Sequence, residues 1–180
     1  DSTLLKFSRA NLNYYQKLYY HRLGTAQTED QLIYHRPDQK EWGFSGNVTE
    51  DGRYLVISIW RGTDPKNLVF YKDLQQPDSE IVELISEFEA NYSLIDNDGS
   101  TLWFYTDLNA PKKRVIAIDL NAPQRDAWQE IIPEADEPLT GVSLLNNQWV
   151  VTYLKDARSS VKIFNLDGSF HQGLTLPGVG

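Results

Sequence analysis

The segment closest to a catalytic motif is Gly43-Phe44-Ser45-Gly46-Asn47. A serine nucleophile of the G-x-S-x-G type needs a glycine two residues away on each side, because the serine sits on a strained turn between a strand and a helix. Here Asn47 occupies the second glycine position, and the segment itself is predicted to be a strand. We therefore predict no catalytic residue in this chain.

The other residues that could do chemistry favour structural roles. The three histidines, His21, His35 and His171, form no H-x-x-x-H or H-E-x-x-H pair, so the sequence predicts no metal site and no cofactor. His21 follows two tyrosines and is interpreted as a hydrogen-bonded residue of a sheet. Asp96 and Asp98 flank a predicted hairpin turn, where aspartate hydrogen-bonds to its own backbone, which favours a turn over acid–base catalysis.

Composition argues against two classes of partner. The chain of 180 residues has a net charge of −8, which would repel a phosphate backbone, so nucleic-acid binding is not expected. Its longest apolar run, at 54–60, is far shorter than the ~20 residues of a membrane helix, so no membrane partner is expected. The absence of cysteine and of a secretory signal predicts a cytoplasmic location, with the periplasm as the alternative.

An internal repeat positions all of these residues. Three times, an Asx-containing turn precedes an apolar-aromatic strand, and a further strand then ends on Asp-Leu or Asn-Leu. The turns are Asp51-Gly52, Asp98-Gly99 and Asn146-Asn147. The strand ends are Asp73-Leu74, Asp119-Leu120 and Asn165-Leu166 and so recur every 46 residues.

A period of 40–50 residues made only of strands is typical of β-propeller blades. We predict an all-β fold, a partial β-propeller of about 3.75 blades with four antiparallel strands each. Blades are expected at about 41–86, 87–133 and 134–177. A degenerate blade at 1–40 lacks its first strand and is expected to begin with a turn at Asp1-Ser2 and a strand at 4–8.

One segment of the sequence is compatible with either a helix or a strand. Residues Ile81, Leu84, Ile85 and Phe88 have helical spacing within 80–89. The equivalent segments of the other repeats have no such pattern, which favours a strand here too.

Several stretches resemble the prolyl oligopeptidase family of serine peptidases. The most specific is Lys17-Leu18-Tyr19-Tyr20-His21-Arg22-Leu23-Gly24-Thr25. The resemblance continues, through essentially the whole chain, in 29–33, 51–58, 62–67, 71–76 and 152–157.

The resemblance implies a function for the parent protein. Members of that family join an α/β-hydrolase domain, which carries a Ser-Asp-His triad, to a seven-bladed propeller that admits short peptides cleaved after proline. This chain resembles the middle of that propeller. It is therefore expected to be a non-catalytic piece of the gating domain, inactive alone, with the hydrolase domain of the same parent chain and short proline-containing peptides as partners.

The resemblance also implies a substrate contact. In the family, propeller residues that follow the Asp-Gly-Arg-Tyr strand touch the bound peptide, which maps to Trp60, Arg61 and Thr63. The family's arginine position corresponds to Trp60, with Arg61 one residue later, and a shift of one residue in a strand turns the side chain to the opposite face. The segment can be interpreted as an ordinary blade hairpin, or as a substrate contact in which Trp60 stacks on a substrate proline instead.

A second function remains open, that of a stand-alone β-repeat interaction module. An incomplete ring would expose sheet edges in either case, so we expect the chain to self-associate through its edges. Because it begins with Asp1 and holds fewer than four repeats, we expect a piece of a longer protein.

Overall fold

Among the residues that the structure describes, the regular structure consists mainly of antiparallel strands grouped in four sheets. The computed structural model describes residues 14–76 and 78–174. The turn and strand predicted within 1–8, and the end of the last predicted strand at 175–176, lie outside the described residues. Within the described part, no helix has the length and apolar character that crossing a bilayer requires. The chain divides into two compact units.

The first unit comprises Asp1–Val48 and Tyr54–Phe88 and holds two sheets. A two-stranded sheet pairs β1 (Lys17–Tyr20) with β2 (Gln31–His35). A four-stranded sheet follows, in the order β3-β4-β5-β6. Its strands are β3 (Trp42–Val48), β4 (Tyr54–Arg61), β5 (Asn67–Asp73) and β6 (Val82–Ile85).

The second unit comprises Thr49–Arg53 and Glu89–Gly180 and holds two four-stranded sheets. One contains β7 (Tyr92–Asp98), β8 (Thr101–Thr106), β9 (Arg114–Asp119) and β10 (Gln129–Ile132). The other contains β11 (Leu139–Leu145), β12 (Gln148–Lys155), β13 (Arg158–Asn165) and β14 (Phe170–Leu174). In both sheets, strands that follow one another in the sequence are neighbours.

Within residues 14–76 and 78–174 the strands predicted from the repeat are confirmed, and the ambiguous segment at 80–89 contains the strand β6 rather than a helix. Two short 3-10 helices, Gln27–Glu29 and Arg125–Ala127, were not predicted. They lie in the connections before β2 and β10, and neither has an apolar periodicity from which a helix could be predicted.

Asx turns set the strand registers. Asn146 and Asn147 both have positive φ, +49° and +59°, as a two-residue hairpin loop of the mirror-image kind requires. They bring Leu145 opposite Gln148. At the turn predicted at Asp98-Gly99, Asp98 ends β7 opposite Thr101, and Gly99 supplies a φ of +54°. Both turns thus direct alternate residues of the following strand towards the core.

The core of the second unit lies between its two sheets. The buried residues are Trp103, Val115, Ala117 and Ile132 of one sheet and Leu139, Trp149, Val151 and Tyr153 of the other. The rings of Trp103 and Trp149 meet edge to face with their centroids 5.2 Å apart. Such a pair contributes ~0.5–1.5 kcal/mol beyond the burial of its area.

The core of the first unit follows the same plan. Ile57, Ile59, Leu68 and Phe70 of the four-stranded sheet pack against Leu18 and Tyr34 of the two-stranded sheet. In each unit, therefore, one sheet covers the apolar face of its neighbour.

Gly168 lies in the turn between β13 and β14, where the backbone approaches the neighbouring sheet closely. Its φ is +84°, and a Cβ atom built on it would overlap the carbonyl oxygen of Ile131. Only glycine satisfies both conditions, because any side chain adds a left-handed backbone penalty to a backbone collision.

We predict that Gly168→Ala destabilises the protein by about 3 kcal/mol or more, since the strained conformation and the collision add together. Gly99→Ala is the matched control, because Gly99 also has positive φ but has no atom within 4 Å of its Cβ position. That control is expected to cost only about 1–2 kcal/mol. Urea unfolding followed by tryptophan fluorescence gives both values, and equal losses would contradict the close approach.

Candidate functional site

The residues predicted to contact substrate lie at the end of β4. Trp60 and Arg61 are its last two residues, and Thr63 is exposed in the turn that follows. Trp60 stands opposite Gly43 and Arg61 opposite Trp42 in the register with β3. Because side chains alternate along a strand, Trp60 and Arg61 point to opposite faces of the sheet.

Trp60 lies against the backbone of β3. Gly43 is buried, and a Cβ atom at this position would overlap the indole ring of Trp60. Glycine at position 43 therefore makes the room in which the indole lies. The ring remains partly exposed, which leaves an aromatic surface at this end of the sheet.

Arg61 belongs to a group of cationic and aromatic side chains on the other face. Its guanidinium lies 4.7 Å from the centroid of the Phe88 ring, and Phe88 packs edge to face against Trp42 at 5.7 Å. Arg36 lies over Trp42 at 4.8 Å. We call these four residues, Arg36, Trp42, Phe88 and Arg61, the Arg–aromatic stack.

Asp64 holds Arg61 in place. Its carboxylate lies 3.1 Å from the Arg61 guanidinium and accepts a hydrogen bond of 3.0 Å from the backbone N–H of Lys66. The Lys66 N–H, followed by the Arg61 guanidinium, keeps the pKa of Asp64 below its ordinary value. Half of the Arg61 side chain is still exposed, at 51%, so the guanidinium can donate to a further hydrogen-bond acceptor.

This end of the first unit offers binding groups rather than a nucleophile. Indole and phenyl surfaces offer apolar contact area to a proline ring, and a guanidinium can donate to a peptide carbonyl oxygen. Ser45, from the near match to a nucleophile motif, lies in the regular ladder of β3 opposite Ser58. It therefore lacks the strand-to-helix turn that such a nucleophile needs.

His21 forms a short-range bridge just beyond β1. Its Nδ1 lies 2.6 Å from Oδ1 of Asp30, and the pair closes the loop between β1 and β2. The predicted hydrogen bond is present, but the strand ends at Tyr20, so the prediction that His21 belongs to the strand was wrong. The cause is that the chain turns at this point, where the Thr25 hydroxyl donates to the Arg22 carbonyl oxygen at 2.7 Å.

The second unit contains an acidic groove of about 550 Å³. Its carboxylates are Glu50, Asp51, Asp96 and Asp98, and no lysine or arginine is among the described residues that line it. Trp103, Leu144 and Leu166 line its apolar part, and Asn97, Gly99 and Asn147 complete the lining.

Asp51 organises the rim of this groove. Its Oδ1 accepts hydrogen bonds from the Thr49 hydroxyl at 2.7 Å and from the Arg53 backbone N–H at 3.0 Å, while Oδ2 accepts one from the Asn97 amide at 2.9 Å. These donors, the Thr49 hydroxyl foremost, lower the pKa of Asp51. Asn97 lies 46 residues after Asp51, which is one repeat period.

Metal chemistry finds no support in the described residues. Within 14–76 and 78–174, no three histidine, aspartate or glutamate side chains gather in a way that could hold a metal ion. Two carboxylates of the acidic groove accept hydrogen bonds instead, Asp51 from the Arg53 backbone and the Asn97 amide, and Asp96 from the Asn97 backbone N–H.

The sequence model described as "Prolyl oligopeptidase, N-terminal beta-propeller domain" matches residues 4–180. The chain belongs to this propeller-domain family. The match confirms both the predicted family and the predicted fold class, and the four antiparallel sheets are those of a partial β-propeller.

Individual proteins similar to this chain also point to the prolyl oligopeptidase family. Prolyl endopeptidase from Elizabethkingia miricola is 37% identical over 164 residues, which cover 91% of this chain and 23% of the relative. A solved prolyl endopeptidase, from work on inter-domain dynamics in catalysis and specificity, matches with a TM-score of 0.84 at 33% identity, over 96% of this chain and 25% of that one.

Prolyl oligopeptidase B from Galerina marginata, solved with a bound 35mer hydrolysis and macrocyclization substrate, matches with a TM-score of 0.83 at 28% identity. The match covers 89% of this chain and 23% of that one. The chain thus spans about a quarter of the length of these relatives.

Sequence reasoning missed three of the four members of the Arg–aromatic stack in this propeller domain. Arg36, Trp42 and Phe88 come from three separate segments, so no local motif contains them. The register of Trp42 opposite Arg61 was available only once β3 and β4 had been paired. Asp51 and Asn97, in contrast, could have been paired from the 46-residue period alone.

We predict that Asp51→Asn lowers the free energy of unfolding at neutral pH and that this difference disappears in acid. Folding lowers the pKa of Asp51, so the ionised carboxylate stabilises the folded protein above pH 3.8, the ordinary aspartate pKa. This stabilisation is lost as the pH falls through the lower pKa of the folded state. Urea unfolding of the protein and of the Asp51→Asn variant, at neutral pH and at a pH well below the ordinary aspartate pKa, measures this difference in the free energy of unfolding.

The matched control is Asp98→Asn, which removes the same charge from the same groove. No hydrogen bond to the Asp98 side chain is present in the part of the chain that the structure describes. A loss of stability from Asp98→Asn as large as that from Asp51→Asn would show that groove charge, not hydrogen bonding, is responsible.

Proposed function

We propose that this chain is part of the gating propeller of a proline-specific serine endopeptidase, which restricts access to its active site to short peptides. Membership of the propeller-domain family carries this proposal. The relative from Elizabethkingia miricola is a prolyl endopeptidase, and the relative from Galerina marginata binds a 35mer substrate. The filter works by exclusion, because a folded protein cannot enter an opening that passes an extended peptide.

Catalysis is proposed to reside in an α/β-hydrolase domain of the same parent chain. Two observations support this division. Ser45 lies in a regular strand ladder, and the relatives are about four times as long as this chain. One solved relative comes from work on inter-domain dynamics in catalysis and specificity, which is consistent with a propeller that acts through its partner domain.

The end of β4 is proposed as the peptide-facing part of the propeller. Trp60 supplies a partly exposed indole, Arg61 a half-exposed guanidinium and Thr63 an exposed hydroxyl in the adjoining turn. Trp60 is the main contact, because it can stack on a proline ring. Arg61 contributes less, since Asp64 and Phe88 already engage it on the other face of the sheet.

A stand-alone interaction module is the second candidate. It is favoured by one observation, the exposed leucines on the last sheet, Leu145, Leu154 and Leu174. In that case the chain would act by binding another β-sheet protein and would have no link to peptide hydrolysis.

The test compares the full-length protein with the 180-residue chain on a fluorogenic peptide that has proline before the scissile bond. We predict turnover by the full-length protein and none by the chain alone. In the full-length protein, Trp60→Ala should raise KM roughly tenfold with little change in kcat, because loss of the indole re-exposes about two CH₂ groups of the proline ring at ~0.8 kcal/mol each. Arg61→Ala should raise KM less.

Trp60→Phe is the matched control, because it keeps an aromatic ring over Gly43 and should restore most of the affinity. Enzyme-like turnover by the chain alone would overturn the gating role. Unchanged KM in both alanine variants would overturn the peptide contact but leave the gating role intact. Equal kcat/KM for a short peptide and for a folded protein with an exposed proline would refute the filter.

A further inference from the structure

The indole of Trp60 lies across β3 at a residue where β3 has no side chain. Trp60 stands opposite Gly43 in the ladder between β3 and β4. A Cβ atom built on Gly43 would overlap Cε2, Cζ2 and Nε1 of the indole. A glycine inside a strand often marks a close approach of this kind, so the pair of residues forms one local arrangement.

The backbone around Trp60 is fixed on both sides. Trp60 pairs with Gly43 of β3 on one side and with Asn67 of β5 on the other. Just beyond the end of β4, the Gly62 N–H donates to the Glu41 carbonyl oxygen at 3.2 Å and extends the ladder with β3. The indole can therefore change its place only by changing the side-chain rotamer of Trp60.

The Arg–aromatic stack braces the other face of the same strand ends. Trp42 and Arg61, the chain neighbours of Gly43 and Trp60, both belong to it. Phe88 contacts both of them, at 5.7 Å from Trp42 and 4.7 Å from Arg61 between centres. These contacts oppose a shift of the backbone, so added volume at position 43 must be taken up by the indole.

The later repeats have other residues at the position of Trp60. Six residues after the first residue of the second strand, where the first unit has Trp60, they have Asp107 and Leu154. Asp107 has a structural role, because its Oδ1 accepts a hydrogen bond of 2.7 Å from the backbone N–H of Asn91. A blade therefore folds without an indole at this position, which favours a role in binding for Trp60.

The contact with Gly43 makes the place of the indole a discrete choice. Side chains occupy separate staggered rotamers rather than a continuous range of angles. A methyl group at position 43 would exclude the rotamer that Trp60 adopts, and the indole would have to turn to another one. The residue at position 43 thus decides where the aromatic surface lies.

We propose that Gly43 is a positioning residue for peptide recognition. The space above its Cα selects the rotamer in which Trp60 presents its indole to a proline-containing peptide. This inference rests on the proposed role of Trp60 as a peptide contact. It adds that the contact depends on a residue of the neighbouring strand, which acts through Trp60 and not through the peptide.

The test uses the full-length protein and the fluorogenic proline peptide. Gly43→Ala should raise KM about as much as Trp60→Ala, roughly tenfold, with little change in kcat, because both remove the same binding contact. In the Trp60→Ala background, Gly43→Ala should raise KM no further, since no indole remains to be displaced. Alanine suits the backbone at position 43, because Gly43 is not among the glycines with positive φ.

Gly46→Ala is the matched control. It makes the same substitution in the same strand, but its Cβ would lie on the opposite face, 3.1 Å from a methyl carbon of Leu55 and 3.3 Å from one of Leu18. The added methyl group is as crowded as an alanine in a packed sheet can be, yet it does not reach Trp60. This variant should leave KM unchanged.

Fluorine NMR of the full-length protein labelled with fluorotryptophan gives a second readout, without substrate. The resonance that is missing from Trp60→Ala identifies Trp60. Gly43→Ala should shift this resonance, because the indole takes another rotamer, and Gly46→Ala should leave it in place.

The outcomes separate the positioning role from the peptide contact. If Trp60→Ala raises KM while Gly43→Ala leaves either KM or the Trp60 resonance unchanged, the positioning role is overturned and the peptide contact stands. Additive increases in KM in the double variant would also overturn it, since the methyl group would then act apart from the indole. Unchanged KM in Trp60→Ala would refute the peptide contact itself, and the positioning role with it.

Discussion

The structure depends on one constraint, that each sheet must cover an apolar face of its neighbour. In the second unit, this contact centres on the edge-to-face pair of Trp103 and Trp149, which are buried between the two sheets. An antiparallel sheet of four strands has two faces and cannot bury both by itself. The sequence therefore repeats one sheet at a time, but each sheet is stable only when it packs against a neighbouring sheet.

Turn chemistry made most of the fold predictable. The Asn146-Asn147 loop and Gly99 have the positive φ values that hairpins need, and their spacing exposed the period before any strand was assigned. The uncertain case was 80–89, where Phe88 lies beyond β6 and only appeared to extend an apolar periodicity into a helix. In the structure Phe88 packs on Trp42 instead, a contact that no local pattern encodes.

The candidate site was predictable only in part, for a related reason. Trp60, Arg61 and Thr63 could be predicted by resemblance. The alternation of side chains along β4 also showed that Trp60 and Arg61 cannot lie on the same face of the sheet. What engages Arg61 could not be named, because Phe88 and Arg36 reach the site through the packing of distant segments. The hydrogen bond between Asn97 and Asp51 is the opposite case, because the two residues lie one full repeat apart and the period alone could have paired them.

Hydrogen exchange on Trp149→Ala tests the central claim, that paired sheets stabilise one another. Removing this fully buried indole should cost about 3–5 kcal/mol. The account predicts faster exchange not only in β11–β13 but equally in β8 and β9, which belong to the other sheet and share the core with Trp149. Loss of protection confined to β11–β14, with β8 and β9 unchanged, would contradict it.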